Sequence, residues 1–346
     1  MLTNRKSITI YDIAKEAGVS PATVSRILTG NTAVRQEKRD RVNQIIEKYN
    51  FRPNAMARAL SETRTKLIGI VMADTENPYY SSVFAACGNE AYNRGYVTML
   101  LNTYSRQEME ISALTKLREQ RVDAIILCGG RIDLDQPDPA FMQLLETTRQ
   151  TTPIVVGSRS PMEKICGVAV DHKGSMDIAL EYLIGLGHRD IGFVFAGTEN
   201  YGTQEKLERF RYDMAQAGLP VREEWMIDAH DYDCESGRKS IQQLMTAPSQ
   251  PTALLGMNDM VSAGMLQGLL ENGVRVPEDI SLLGFDDTYL TTITTPQLTA
   301  VDYDYREFAR MLVDAAIAAI ESEDFPREQL VPPSLSIKKS CAPPRR

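Results

Sequence analysis

The chain has 346 residues, of which 43% are apolar and 24% are charged. This length predicts two or three folded units, and the composition is that of a globular protein rather than a disordered or fibrous one. The net charge of −8 argues against nucleic-acid binding by the whole surface, because phosphate attracts basic surfaces.

The sequence has neither a membrane signature nor a metal-binding signature. No apolar run reaches the roughly 18 residues that a membrane-spanning helix needs. The polar first residues lack the apolar core of a signal peptide, so we expect a cytoplasmic protein with no membrane partner. The five cysteines contain no C-x-x-C pair and the three histidines are dispersed, so we expect no disulfide framework, no metal site and no cofactor.

The positive charge is concentrated at the start of the chain. Residues 1–66 contain 13 Lys and Arg against 6 Asp and Glu, whereas the rest contains 25 against 40. A basic head on an acidic body is expected when only the head meets phosphate. The alternative is a basic stretch that is merely a solvated surface.

Two short helices joined by a tight turn are predicted within the basic head. Thr9 is a suitable N-cap with Asp12 three residues later, and Gly18 supplies a left-handed end. Ser20 caps the second helix and Pro21 takes its first position. The apolar residues that predict the buried faces are Ile13, Ala14, Ala17, Val24, Ile27 and Leu28. This is the geometry of a helix-turn-helix, which predicts binding to the major groove of double-stranded DNA.

A third helix and a hinge follow. Apolar spacing predicts that the third helix buries Val42, Ile45, Ile46 and Tyr49. Its charged face either touches phosphate or is solvated, and for Lys38 and Arg41 we favour the solvated alternative. Residues 54–62 are helix-prone but too short to be stable alone, so they predict a hinge that folds only with a partner. Leu60 is then exposed in the free protein, unless it packs on the next domain.

The head resembles the lactose/galactose repressor (LacI/GalR) family. The resemblance rests on the sequence TIYDIAKEAGVSPATVSRIL at residues 9–28 and YNFRPNAMARAL at residues 49–60. It implies that Ala22 and Arg26 read bases, with Pro21 beside them. It implies phosphate contacts or helix positioning by Thr9, Tyr11, Ser20, Thr23 and Ser25. It also implies DNA contacts from the hinge residues Asn54, Ala57 and Leu60, with Leu60 as a wedge in the minor groove.

The acidic body alternates apolar strands with helices. The predicted strands are 67–72, 97–101, 124–127, 154–156, 168–170, 191–195, 253–255 and 281–285. The predicted helices are 80–95, 107–120, 141–148, 173–185, 203–217, 235–245 and 259–272. Such a pattern favours an α/β core of two doubly wound parallel-sheet lobes with a cleft between them.

The sequence thus predicts an all-α head on an α/β core. The predicted boundaries are 1–53 for the head, 54–66 for the hinge and linker, and 67–346 for the core. Within the core, we expect the N-lobe at about 67–166 and 297–326, and the C-lobe at about 167–296 and 327–340.

Polar and aromatic side chains follow the strands of the core, where the cleft is expected. They are Asp74, Tyr79, Tyr80, Ser158, Arg159, Asp171, Asn258, Asp259, Asp286 and Asp287. Carboxylates, amides and aromatic rings converging on a cleft suit a polyhydroxylated ligand. Asp171 and Asp259 are equally well explained as helix caps.

The core is also similar to the effector-binding core of the LacI/GalR family, whose fold is that of type 1 periplasmic sugar-binding proteins. The resemblance implies a pocket lined by Tyr79, Tyr80, Lys206, Tyr232, Asn258 and Asp286, with Gly157 and Asn200 at pocket positions. Ser158, Arg159 and Asp171 complete the predicted effector contacts. Lys206 stands where the family has arginine, so the ligand is either shifted towards an anionic or phosphorylated compound or remains a neutral sugar.

Three other functions are less consistent with the sequence than that of a regulator. A nucleotide-dependent or hydrolytic enzyme lacks support, because G-x-G-x-x-G, Walker and G-x-S-x-G motifs are absent from the sequence. A periplasmic receptor would have a signal peptide and no basic head. An architectural DNA binder would not need a polar cleft. We therefore expect a non-enzymatic, homodimeric repressor of a carbohydrate-utilisation operon, which binds a pseudopalindromic operator and is gated by a small sugar or sugar phosphate.

Overall fold

The computed structural model describes residues 8–28, 34–49, 51 and 64–345. These residues fall into two units, divided between Thr65 and Lys66. The predicted hinge residues Asn54, Ala57 and Leu60 lie outside the described residues. None of the helices in the described ranges is long and apolar enough to cross a membrane.

The first unit contains the predicted helix-turn-helix. Its helices are α1 (Ile10–Ala17), α2 (Pro21–Leu28) and α3 (Gln36–Tyr49). Thr9 and Asp12 form a complete capping box, and Gly18 ends α1 with a φ of 67°. The apolar faces of the three helices share one core, which is made by Ile13, Ala14, Ala17, Val24, Ile27, Val42 and Ile45. The two-helix prediction and its caps are therefore confirmed.

The last turn of α3 differs from the prediction. Tyr49 is 40% exposed rather than buried, and the Lys48 ammonium lies 4.7 Å from the centre of its ring. Lys48 also bonds Glu16 of α1 at 2.7 Å, so the end of α3 is fixed by surface charge instead of apolar packing. On the charged face, Arg41 pairs with Glu37 at 3.1 Å, which agrees with the solvated alternative for that residue.

The second unit consists of alternating strands and helices. The strands are β1 (Leu67–Met72), β2 (Val97–Asn102), β3 (Ala124–Cys128), β4 (Ile154–Val156), β5 (Cys166–Val170), β6 (Ile191–Phe195), β7 (Met226–Asp228), β8 (Ala253–Gly256), β9 (Ser281–Asp286), β10 (Thr299–Asp302), β11 (Glu328–Val331) and β12 (Ser334–Ser336). The helices are α4 (Pro78–Asn93), α5 (Gln107–Glu119), α6 (Pro139–Arg149), α7 (His172–Gly185), α8 (Tyr201–Gln216), α9 (Cys234–Leu244), α10 (Asp259–Glu271), α11 (Leu290–Ile293) and α12 (Tyr305–Glu321).

These strands form two sheets, one in each lobe. The first has the order β11-β5-β4-β3-β1-β2 and the second β12-β10-β9-β8-β6-β7. All neighbouring strands pair in parallel except β10 and β12. Helices cover both faces, which is why strands such as β9 are buried along their whole length. The predicted doubly wound architecture is confirmed.

The predicted lobe boundaries are wrong at three places where the chain changes sheet. Strand β5 pairs with β4 in the first sheet, β10 pairs with β9 in the second, and β11 pairs with β5 in the first. At each of these places the chain therefore passes from one lobe to the other a few residues later than predicted. The pairing partner decides the lobe of a short strand, and local sequence carries no signal for that partner.

Candidate functional site

The predicted DNA contacts of the head lie at its surface. Ala22 and Arg26 of α2 are exposed, as are Thr9, Ser20 and Tyr11, the last at 70%. The remaining three, Pro21, Thr23 and Ser25, are half-buried. The Ser20 hydroxyl accepts the Thr23 amide at 3.2 Å and so fixes the N-terminus of α2. This places the start of the recognition helix and the two candidate base-reading residues in contact with solvent.

In the second unit, the cleft between the lobes begins at two adjacent tyrosines. Asn77 caps α4 by accepting the Tyr79 amide at 3.0 Å, and Pro78 takes the first helical position. Tyr79 and Tyr80 meet edge to face with ring centres 5.1 Å apart. Tyr79 packs against the cores of both lobes. The two predicted tyrosines therefore lie together at the boundary between the lobes.

Lys206 and Asp286 form the charged end of the cleft. The Lys206 side chain is 3% exposed, and its ammonium lies 3.5 Å from the Met257 carbonyl oxygen and 4.1 Å from the centre of the Phe285 ring. Burial lowers the pKa of Lys206 to about 8, against the opposing effect of Asp286. Burial raises the pKa of Asp286 to about 6, against the opposing effect of Lys206.

The backbone at Asp286 is in the left-handed region, with a φ of 95°. Such a conformation is unusual for a residue other than glycine and is often found at functional sites. The hydroxyl of Tyr305, on a first-lobe helix, donates to the Asp286 carbonyl oxygen at 2.8 Å. This bond joins the two lobes directly beside the charged pair.

Amides and hydroxyls of the second lobe surround Tyr232. The Asn200 amide donates to the Tyr232 hydroxyl at 2.7 Å, and the Thr203 hydroxyl lies 3.3 Å from it. Asn258 caps α10 by accepting the Val261 amide at 2.8 Å, and its own amide donates to the Tyr232 carbonyl at 3.1 Å. These residues form one hydrogen-bonded network that fixes the ring of Tyr232.

Four other predicted cleft residues have structural partners. Asp171 caps α7 by accepting the Gly174 amide at 2.9 Å, as its alternative explanation required. Ser158 is fully buried and donates to the Ile132 carbonyl at 3.2 Å. Arg159 is exposed and pairs with Glu205 across the cleft. Gly157 packs against Cys128, with no space for a side chain.

The alternative explanation of Asp259 as a helix cap is wrong, because Asn258 is the cap of α10. Asp259 is instead buried, and its carboxylate accepts the backbone amide and the hydroxyl of Thr288, the latter at 2.7 Å. It thereby anchors the segment that follows β9.

Sequence reasoning missed several residues that line the cleft, chiefly Asp133, His172 and Tyr201. Burial raises the pKa of Asp133 to about 6, although a hydrogen bond from Ser158 opposes the shift. Burial and the nearby charge of Lys206 lower the pKa of His172 well below its usual value, so the ring is neutral. Its Nδ1 is buried without a hydrogen-bond partner, and the ring packs edge-on against Tyr201 at 5.5 Å.

The three missed residues lie near the ends of strands or at the starts of helices, where nothing in the local sequence distinguishes them from ordinary turn and helix residues. Asp133 lies in a 3-10 turn, Gly130–Asp133, a few residues beyond β3. His172 and Tyr201 are the first residues of α7 and α8. Together with the predicted residues they provide carboxylates, hydroxyls, amides and ring faces. This is the chemistry of reversible binding to a small polar ligand.

Comparison with known proteins gives the same division of the chain. Residues 9–54 match the bacterial regulatory proteins of the lacI family, and residues 180–341 match the periplasmic binding protein-like domain. The chain is 32% identical over 298 residues to catabolite control protein A of Priestia megaterium, covering 85% of this chain and 87% of the relative. It is 30% identical over 336 residues to the HTH-type transcriptional repressor PurR of Photobacterium profundum, covering 96% and 98%.

Solved structures show the same fold. The chain is similar to the lac repressor dimer bound to operator and the anti-inducer ONPF, with a TM-score of 0.86 and 25% identity over 97% of this chain and 100% of that one. It also shares the fold of the transcriptional regulator CelR in its cellobiose complex, with a TM-score of 0.70 and 24% identity over 96% and 99%.

These relatives are transcriptional regulators rather than enzymes, and the likeness extends over both the head and the core. The chain belongs to the lacI family of bacterial regulatory proteins, and it is a ligand-responsive, DNA-binding transcriptional regulator.

Proposed function

We propose that this protein is a cytoplasmic repressor of a carbohydrate-utilisation operon. It binds a pseudopalindromic operator as a homodimer and is gated by a small sugar or sugar phosphate in the interlobe cleft. The observation that carries the proposal is the combination of an exposed recognition helix in one unit with a tyrosine-lined polar cleft in the other. Neither a DNA-packaging protein nor a solute receptor needs both.

For the DNA side, support comes from the exposed face of α2. Arg26 and Ala22 are both exposed on this helix; a guanidinium can bond guanine with two parallel hydrogen bonds, and an alanine methyl group can make an apolar contact to a base edge. Two such heads, related by two-fold symmetry, read half-sites one helical turn apart. The hinge part of the proposal, with Asn54, Ala57 and the Leu60 wedge, rests on the sequence resemblance.

For the effector side, support comes from the composition of the cleft. Tyr79, Tyr80 and Tyr232 offer ring faces for the apolar side of a sugar, while Asp286 and Lys206 offer an acceptor and a donor for its hydroxyls. Among the relatives and similar structures, CelR is described in complex with cellobiose and the lac repressor with ONPF. The cellobiose of the CelR complex favours a carbohydrate-like effector here.

Gating requires contacts that form only in one arrangement of the lobes. The segment that follows the 3-10 turn Gly130–Asp133 of the first lobe contacts the second lobe. The Asp135 amide donates to the Glu199 carbonyl at 3.0 Å, and Leu134 and Asn200 form a backbone bridge beside this bond. Arg159 of the first lobe pairs with Glu205 of the second, and its guanidinium lies 4.7 Å from the centre of the Tyr201 ring. A ligand that binds more tightly to the arrangement with these contacts shifts the population towards it.

The experiment that tests the proposal is selection of bound duplexes from a random DNA pool, with and without a panel of sugars. We expect an enriched pseudopalindrome, bound by two chains, whose recovery changes with one sugar. An enriched asymmetric site bound by one chain would contradict the dimer. Recovery that no sugar alters would contradict the carbohydrate effector.

A further inference from the structure

The backbone at the end of β9 carries two consecutive left-handed residues, and neither of them is glycine. Asp286 has a φ of 95°, and Asp287 has a φ of 53°. Such conformations are costly for residues with a side chain, and they persist only where neighbouring groups hold them. The groups that hold this backbone therefore decide where the Asp286 carboxylate points.

Groups of the second lobe hold the residues that follow Asp286. The buried carboxylate of Asp259 accepts the Thr288 hydroxyl at 2.7 Å and also the Thr288 amide. The ammonium of Lys338, whose side chain is 12% exposed, pairs with the carboxylate of Asp287. These contacts fix the Asp287 side chain and the backbone at Thr288, but they do not touch the peptide group that joins Asp286 to Asp287.

That peptide group is held from the first lobe. The hydroxyl of Tyr305, at the start of α12, donates to the Asp286 carbonyl oxygen at 2.8 Å. Because a peptide group is planar, the direction of this carbonyl depends on ψ of Asp286 and φ of Asp287. The single bond from Tyr305 therefore constrains both left-handed residues at once.

Tyr305 is itself fixed in the first lobe. Asp304 caps α12 by accepting the amides of Arg306 and Glu307, each at 3.1 Å. The ring of Tyr305 packs against the apolar core of the first lobe and meets the ring of Tyr79 edge to face, with ring centres 5.9 Å apart. Tyr305 thus connects the tyrosine end of the cleft to its charged end.

We propose that Tyr305 is a positioning residue for effector binding. Its hydroxyl, acting through the Asp286 carbonyl, holds the Asp286 carboxylate in the direction that a hydroxyl of the effector requires. Since Tyr305 belongs to the first lobe, Asp286 has this orientation only in the arrangement of the lobes that keeps the bond. This inference rests on the proposed carbohydrate effector and adds to it a residue that the ligand need not touch.

Tyr305→Phe tests the inference, because it removes the hydroxyl and keeps the ring that meets Tyr79. The measurement is titration calorimetry of the full-length protein with glucose, galactose, mannose and their 6-phosphates. For the compound that binds wild type most tightly, Tyr305→Phe should lose about three- to tenfold in affinity, the usual effect of one hydrogen bond. Tyr289→Phe, the same change at an exposed residue near Asp286, should leave the affinity unchanged.

A second readout separates positioning from a general loosening of the cleft. Its probes are the 2-, 3- and 4-deoxy analogues of the compound that binds best. In wild type, one analogue should bind more weakly than the parent compound because it lacks the hydroxyl that donates to Asp286. In Tyr305→Phe, the difference in affinity between the parent and that analogue should shrink, while the differences for the other two analogues stay the same.

Three results would overturn the inference. Equal affinity of wild type and Tyr305→Phe for the parent compound would exclude a role of the hydroxyl. An equal loss for the parent and all three analogues would exclude positioning through Asp286. Both of these results would leave the carbohydrate effector standing, whereas binding of none of the six compounds to wild type would overturn that effector together with this inference.

Discussion

The ammonium of Lys206 lies over the face of Phe285, 4.1 Å from the ring centre, in a site where the side chain is almost fully buried. The protein interior stabilises a charged amine less well than water does, and burial therefore lowers the pKa of Lys206 to about 8. The protein keeps this charge in its core at a cost in stability, as binding sites commonly do.

Lys206→Met should change how stability depends on pH. In the unfolded chain Lys206 has its ordinary pKa of 10.5, and in the folded chain about 8, so between these values the unfolded state binds more protons. The wild-type free energy of unfolding should therefore rise, relative to the variant, by roughly 3 kcal/mol from pH 8 to pH 10.5. Urea denaturation across this range measures it.

Lys164→Met is the matched control, because Lys164 is exposed. It should show no such rise. If the free energy of unfolding changed with pH in the same way in wild type and in Lys206→Met, Lys206 would not be buried in the charged form.

Glu205→Gln should weaken closure of the lobes. Glu205 is the partner of Arg159 across the cleft, and Arg159 is half exposed, so solvent screens the pair. Pairs of this kind contribute roughly 0.2–1 kcal/mol, which corresponds to a loss of up to about fivefold in effector affinity. Titration calorimetry measures the loss. Glu208→Gln on the same helix is exposed and should leave the affinity unchanged, and an equal loss there would refute a specific interlobe contact.

Arg26→Ala should relax sequence preference at one operator position. A guanidinium that bonds guanine contributes roughly 1–3 kcal/mol of discrimination against the wrong base. Binding to a set of operators with single substitutions measures this directly. Arg41→Ala is the control, since Arg41 pairs with Glu37 on α3, and it should leave the preference intact. Unchanged discrimination in Arg26→Ala would remove this residue from base reading.

Leu60→Ala should weaken operator binding strongly and leave effector binding as it is. The reason is the proposed insertion of Leu60 into the minor groove. There the free-energy cost of unstacking a base step is offset by a larger contact area between protein and DNA. Fluorescence anisotropy with a labelled operator measures the first quantity and calorimetry the second. Equal operator affinity in the variant would exclude the wedge.

Local sequence was sufficient for the architecture and for part of the cleft. The Thr9–Asp12 capping box and the left-handed Gly18 were predictable because each depends on neighbours in the chain. The same is true of Tyr79 and Tyr80, which follow a strand and open a helix. The switch of β10 and β11 between sheets depends on partners far away in sequence, so the lobe boundaries were missed.

The missed cleft residues have the same explanation. Asp133 is an ordinary turn aspartate in the sequence, and its half-buried position near the second lobe depends on contacts between segments far apart in the chain, such as the bond from the Asp135 amide to the Glu199 carbonyl. Tyr49 fits the apolar spacing of α3, yet the Lys48–Glu16 pair of the surface determines its position. Spacing predicts which side of a helix is apolar, and the tertiary neighbours decide how far that side is covered.

The most direct test of ligand gating is operator affinity measured with and without the effector, in wild type and in Asp286→Asn. Asparagine tolerates the left-handed backbone at this position, so the variant should fold. A sugar that binds the wild-type cleft should change operator affinity by about 5- to 150-fold, the usual range of allosteric coupling. The variant should keep operator affinity and lose the response. A sugar that occupies the cleft and leaves operator affinity unchanged would contradict gating of the DNA-binding head.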